Sequence, residues 1–422
     1  MSIPFPTSPS FPDSDRSVPR RRRRAGDLSR DGRGRLLAAP PILSYGFRPF
    51  FFAGALYAGL AIPVWLWLYF GGHAMPGSFS GLTWHIHEML FGYLAAVVAG
   101  FILTAIPNWT GRLPLSGAPL AVLAGLWLIG RLACAVVANP WAAAGLDLLF
   151  PLALMASVWR EVIAGRNWKN APIAAMLTLF ALGNAAHHAG NIGLLQSDAG
   201  VRLTLGVIAM LIALIGGRIV PSFTRNWLVK AGADRLPASM GRLDRIALLT
   251  TALAALFWIA VPDRPVTGGL LLAAGGLIAA RLARWQGQSV MREPILAILH
   301  IGYAWLAASL ALLGLAVLAP AMIPASAALH ALTAGAVGTM TLAVMTRASL
   351  GHTGRPIEAD GWTVAIYAAV TLGALARVAA PFAAGAYGPI LVVGGILWSG
   401  AFLGFAVRFG PILWGRRATA RA

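Results

Sequence analysis

The sequence predicts an all-α fold, a polytopic membrane helix bundle of about twelve transmembrane helices with both termini on the cytoplasmic side. Of its 422 residues 58% are hydrophobic and 11% charged, whereas a soluble domain carries roughly 25% charged residues. Apolar runs of about 20 residues recur from Phe47 to Phe409, each long enough to cross a hydrocarbon core of roughly 30 Å as a helix. Strand-like alternation is absent, which excludes a barrel. Basic residues gather in every second loop, and this sets the direction of the first span.

Apolar runs read against proline, glycine and charge breaks give spans at 47–70, 85–107, 118–138, 142–159, 171–194 and 201–221 in the first half of the chain. The second half gives 243–261, 266–284, 294–318, 322–346, 361–383 and 387–409. Arg112 follows the second span, and Arg160, Arg166 and Lys169 follow the fourth. Arg225, Lys230, Arg235, Arg242 and Arg245 lie between the sixth and seventh, and Arg281, Arg284 and Arg292 about the end of the eighth. Arg347 and Arg355 follow the tenth span, and Arg416, Arg417 and Arg421 end the chain. The opposite loops carry chiefly Arg202 and Arg264, each near an aspartate, Asp198 or Asp263. An even number of spans then places both ends in the cytoplasm of a bacterial inner membrane.

Three segments follow: a basic arm at 1–43, a transmembrane domain at 44–415 and a basic tail at 416–422. The arm, with Arg20 to Arg24, Arg30, Arg33 and Arg35 among serines and prolines, has no apolar face and is expected to be disordered against anionic lipid. It ends in a full-length span and lacks a small-residue cleavage site, which argues against a cleaved signal. The formal net charge of +19 sits in the arm and loops, so nucleic acid is not an expected partner. No internal repeat of the kind that marks many transporters is evident.

With orientation set, five of the eight histidines share one layer. His85 and His87 open the second span at its outer end, His187 and His188 sit past the middle of the fifth, and His330 lies one to two turns inside the outer end of the tenth. A lone histidine here would be read as a hydrogen-bonded interior residue. Their joint placement on three helices favours a binding site. His85 and His87 are about 200° apart around their helix and His187 and His188 about 100°. Only one of the first pair therefore faces a given centre, while the second pair can share one. Imidazole without thiolate suits haem iron, copper or zinc. With no Cys-x-x-Cys-His, any haem is held non-covalently. Glu88 keeps zinc open but is favoured as an acceptor that fixes a histidine tautomer.

Arg131 and Asp147 lie eight residues either side of Asn139, so a helical hairpin places them level as a buried ion pair. The functional alternative has Arg131 answering a haem propionate. Cys134, the single cysteine, reads as a packing residue and excludes an intramolecular disulfide. His300 reads as structural, and His73 has no visible partner. His352 lies in a Gly-His-Thr-Gly-Arg loop that suits either an anion or a capped turn. Gly216-Gly217 and Gly335 with Gly338 read as close helix contacts.

Several motifs, in order, carry a family resemblance: Tyr45-Gly-Phe-Arg-Pro-Phe50, Trp84-His-Ile-His-Glu-Met89, Pro107-Asn-Trp-Thr-Gly-Arg112 and Gly216-Gly-Arg-Ile-Val-Pro221. His330-Ala-Leu-Thr-Ala-Gly335 and Thr346-Arg-Ala-Ser-Leu-Gly-His-Thr-Gly-Arg355 complete the set. Together they resemble the NnrS family over nearly all of the chain after the arm. The resemblance implies a twelve-span membrane protein containing haem b and copper, linked to denitrification and to protection from nitric oxide. It carries the metal-site histidines onto His85, His87, His187, His188, His330 and His352. Two other classes stay open: an oxidoreductase of the haem–copper oxidase type, against which the missing His-Pro-Glu-Val-Tyr pattern counts, and a small-solute transporter using histidines as proton relays, for which intramembrane acids are few. Neither the electron donor nor turnover follows from the residues.

Overall fold

The computed structural model describes residues 39–418 except Ser197. The expectations for the arm through residue 38 and for the tail beyond residue 418 lie outside these residues. Among the described residues there is no strand. Eleven helices are long and apolar enough to cross a membrane. These are α1 (Phe47–Gly71), α2 (Gly81–Pro107), α3 (Ala118–Val136), α4 (Pro140–Ala164), α6 (Ala199–Lys230) and α7 (Arg242–Ala260), with α8 (Pro265–Ala283), α9 (Pro294–Leu318), α10 (Ala325–His352), α11 (Gly361–Phe382) and α12 (Ala384–Trp414). Between α4 and α6 lies α5 (Ala171–Ile192), whose 22 residues include no Asp, Glu, Lys or Arg. It has the length of a span, and Asn184, His187, His188 and Asn191 make it more polar than its neighbours.

Helix starts follow local chemistry. The Ser80 side chain accepts the Thr83 amide and starts α2 a turn before the expected boundary, so His85 and His87 fall in its first two turns. Asn139 accepts the Trp141 and Ala142 amides and turns α3 into α4. The longest departures from expectation are at C-terminal ends: α6 runs on to Lys230, α10 to His352 and α12 to Trp414. Basic residues end the apolar stretch without ending the helix, because arginine and lysine are good helix formers.

Three helices carry a π segment that the apolar pattern did not reveal: Glu88–Leu94 in α2, Ile212–Gly216 in α6 and Ala331–Gly338 in α10. A π turn leaves the α ladder's register and frees backbone groups, which must find partners in a membrane. Each segment has a carbonyl taken by a side chain. Trp127 Nε1 donates to the Gly92 carbonyl at 2.9 Å. Arg281 Nη1 and the Tyr303 hydroxyl donate to that of Ala213 at 2.7 and 3.3 Å. Thr341 Oγ1 donates to that of Gly338 at 3.0 Å. Arg281 is itself held by Asp244 Oδ1 at 2.7 Å.

The four glycines read as helix contacts are that. An added Cβ would meet the Tyr303 ring at 3.1 Å from Gly216, the Arg281 guanidinium carbon at 2.5 Å from Gly217, Trp305 at 2.5 Å from Gly335 and Trp398 at 2.5 Å from Gly338.

Candidate metal centre

The π segment of α2 begins directly after His87, and the first four helices and α5 converge on that point. His87 is fully buried, and both its ring nitrogens face carboxylates: Nδ1 lies 3.0 Å from Glu88 Oε1, and Nε2 3.2 Å from Asp147 Oδ2. Nε2 also lies 3.1 Å from Asn184 Oδ1. On α5, His188 Nε2 stands 3.0 Å from Asp147 Oδ2, and Asn184 Nδ2 donates to the same oxygen at 2.7 Å. Arg131 forms the ion pair expected of it. Its Nη1 meets Glu88 Oε2 at 2.5 Å and its Nη2 meets Asp147 Oδ1. The Tyr57 hydroxyl donates to Glu88 Oε2 at 2.5 Å.

Small residues make room for this network. A Cβ on Gly92 would stand 2.6 Å from Glu88 Oε2 and 2.8 Å from Arg131 Nη1, and one on Gly130 would stand 2.6 Å from Asp147 Oδ1.

Charge and donor type together describe what the centre can hold. Two buried carboxylates face one guanidinium, so a further positive charge is required to offset their desolvation. With acceptors on both sides, His87 supplies N–H to each or keeps Nδ1–H for Glu88 and holds a cation at Nε2. The ligand atoms of His87, Cys134, Asp147 and His188 all lie within 4.8 Å of one another, a spacing compatible with one metal ion. His187 is buried beside them, and neither of its nitrogens completes a hydrogen bond, although the Thr83 backbone comes near. An imidazole so placed is short of a partner. The ring of Phe79, from the loop 72–80, lies 4.9, 5.8 and 5.4 Å from those of His87, His187 and His188 and covers all three.

His85 faces elsewhere, as the angle around the helix requires. It stacks on Trp65 of α1 at 4.3 Å, and its Nδ1 is buried without a partner. His330 of α10 lies within electrostatic range of His85 and of Arg377 of α11. Its Nδ1 donates to the Ser326 carbonyl at 2.7 Å, which leaves the Nε2 lone pair as the one available to a ligand. Nη1 of Arg377 is buried and unpartnered.

The structure thus brings His87, His187 and His188 together with Arg131, and sets His85 and His330 apart from them, each within electrostatic range of Arg377. It leaves His352 apart. His352 ends α10, 22 residues past His330, roughly 33 Å along an ideal helix, and packs on Phe47 at 5.5 Å. His300 bonds to Thr224 Oγ1 at 2.9 Å, in keeping with a structural role. His73, expected without a partner, stacks on Trp67 at 4.1 Å.

Cys134, Arg377, Phe79 and Tyr57 all belong to the site and escaped the sequence reading. Cys134, read as packing, stands one turn from Arg131 on the same face, a spacing that placed it at the centre once Arg131 was there. Arg377 was legible as an arginine inside an apolar run. Phe79 gave no signal, since its loop has no periodicity.

Helices of this number, length and apolarity, closed around a buried centre of imidazole, thiol and carboxylate, define a multi-pass membrane protein with a site able to hold a metal ion. The chain belongs to the NnrS family, whose profile, described as NnrS protein, matches residues 41–417. No curated protein matches the chain.

Proposed function

We propose that this protein is a haem- and copper-binding protein of the bacterial inner membrane that responds to nitric oxide and protects against nitrosative stress, in cells that carry out denitrification. The observation that carries the reading is the buried centre of His87, Cys134, Asp147 and His188, with two carboxylates sharing the one guanidinium of Arg131 and the unpartnered imidazole of His187 beside it. Two or three imidazoles with a thiol make a soft nitrogen and sulfur donor set, suited to copper more than to magnesium or calcium. Glu88 then orients His87 from behind through Nδ1, while Asp147 stands on the metal side beside Nε2.

Haem b falls to the other pair. His85 and His330 stand on different helices, each with a nitrogen free for iron. Arg377, within electrostatic range of both and with its buried Nη1 unpartnered, suits a propionate, a role from which Arg131 is withheld by its pairing with Glu88 and Asp147. Haem held by His85 and His330, and copper held by His87, Cys134 and His188, would supply the metal chemistry that binds a diatomic ligand such as nitric oxide. The chain's residues exclude water from those sites: Phe79 caps the copper centre, and Trp65 covers one face of His85.

In this reading α5 is the twelfth span, its polar residues turned to the centre, and both termini face the cytoplasm as the basic loops require.

The test is an optical spectrum with metal analysis of detergent-purified protein made with adequate haem and copper, before and after nitric oxide. A haem band that shifts with nitric oxide, together with bound copper, is expected. His85→Ala and His330→Ala should lose haem and keep copper, while His188→Ala and Cys134→Ser should lose copper. Absence of both metals from wild-type protein would sink the proposal.

A further inference from the structure

The three π segments share a feature beyond their carbonyl partners: all three line one apolar cavity of about 90 Å³ between α2, α6 and α10. Leu94 enters it from the first segment, Ile212, Ile215 and Gly216 from the second, and Val337 from the third. The one hydroxyl in its wall, that of Thr341, is engaged by the Gly338 carbonyl at 3.0 Å and the Tyr93 hydroxyl at 2.5 Å. No side chain therefore offers a water the two to four polar partners it needs, and the space, which opens at one side of the bundle, favours an apolar occupant over water. No histidine and no charged residue lines it. Its place in the bundle is specific. Leu94 lies seven residues beyond His87 on α2, and Val337 seven beyond His330 on α10, roughly 10 Å along each helix.

We propose that this cavity is a holding site for an uncharged apolar molecule of one or two heavy atoms, supplying the histidine layer one to two turns away; the supply role rests on the metal reading above, the holding role does not. An apolar cavity of about 150 Å³ takes up benzene or xenon. The smaller space here suits a diatomic gas, which partitions into lipid and reaches such a site without crossing water. Each π segment shifts the register of its helix where it meets the gap, so the side chains on either side of it do not follow a single α-helical face. Gly216, between the cavity and the Tyr303 ring, fills neither side.

Xenon is the probe, because it binds dry cavities without metal chemistry. Crystals of the full-length protein pressurised with xenon should show one xenon site between Leu94, Ile215 and Val337. Val344→Phe and Val98→Phe, each filling the cavity from a different helix, should abolish it while leaving haem and copper content unchanged. In haem-loaded protein both variants should slow recombination of carbon monoxide after photolysis. An empty wild-type cavity, ordered water, or a lipid acyl chain in its place would overturn the holding site. Xenon lost from the variants with recombination unchanged would overturn the supply role. Metal-free wild-type protein that still takes up xenon would sink the metal reading and leave the holding site standing.

Discussion

Asp147 shows how much one buried residue carries. One of its oxygens serves His87, His188 and Asn184 while the other meets Arg131, so the guanidinium supports both the ion pair and, through Asp147, the orientation of two imidazoles. Removing one partner of a buried pair costs roughly 3–5 kcal/mol, since it strands the other charge. Arg131→Met should lower stability by that order in detergent unfolding, and adding Glu88→Gln should recover part of the loss. Strictly additive losses would show that the two groups do not act together. A milder electrostatic effect is expected outside the spans. Asp360 caps α11, and the Thr363 hydroxyl, its amide and then Arg408 hold the carboxyl down from the ordinary 3.8 to about 2. A depressed folded pKa means that the stabilisation is present above about pH 3.8 and is lost as pH falls through about 2. Its side chain is 41% exposed, so solvent screening keeps the contribution at or below roughly 1 kcal/mol. Asp360→Ala should be less stable than the parent at pH 6 and indistinguishable from it near pH 1.5; an equal difference at both values would count against the charge as the cause.

Individual helices were legible in sequence wherever the signal is a sum over about 20 residues, as hydropathy is. Most span ends therefore stand within a few residues of expectation, α6 running nine residues further and α10 six, and the polar character of α5 marks a helix turned to the centre. Features set by a single hydrogen-bond register were not legible. The π segment of α2 depends on Trp127, 35 residues beyond Gly92, reaching the freed carbonyl, and no local pattern in 88–94 announces it. The site was legible to the same degree. The histidine layer and its division by angle followed from helix geometry, whereas Cys134 and Phe79 joined it through tertiary packing. The segment also explains a glycine. A methyl on Gly92 would stand 2.6 Å from Glu88 Oε2, 2.8 Å from Arg131 Nη1 and 2.9 Å from Tyr57 Cε1, with no space to relax between the two charged groups and the ring. Gly92→Ala should cost roughly 1–3 kcal/mol as an overpacked core does and lower copper content through displaced Glu88. Deleting Met89 goes further: it removes the extra residue of the π turn and rotates His85 and His87 by about 100° against the rest of α2. Metal analysis should find both metals reduced in that variant, and full retention of both would show that the turn does not set their positions.

At the scale of the molecule, the distribution of charge and the depth of the histidines are one argument. The basic loops place the C-terminal ends of α2, α6 and α10 on one side, and these three helices start from the other side with His85, His87 and His330 in the first turns of α2 and α10. The loops are short, and in short loops lysine and arginine counts decide which side is retained in the cytoplasm. If that side is the cytoplasm, the metal layer lies near the outer face, and a ligand arriving from the bilayer meets the cavity between the π segments before the centre. Reporter fusions resolve the direction. An alkaline phosphatase moiety, active only outside, should be silent after Gly165 and after Trp414 and active after Leu194, with a cytoplasmic reporter giving the reverse. The position after Leu194 carries most weight, because it follows α5, whose polar residues set it apart from the other spans. Phosphatase activity there together with silence after Gly165 requires α5 to cross the membrane, making twelve spans; silence at both would leave α5 folded back on the cytoplasmic side and would remove His187 and His188 from the outer layer.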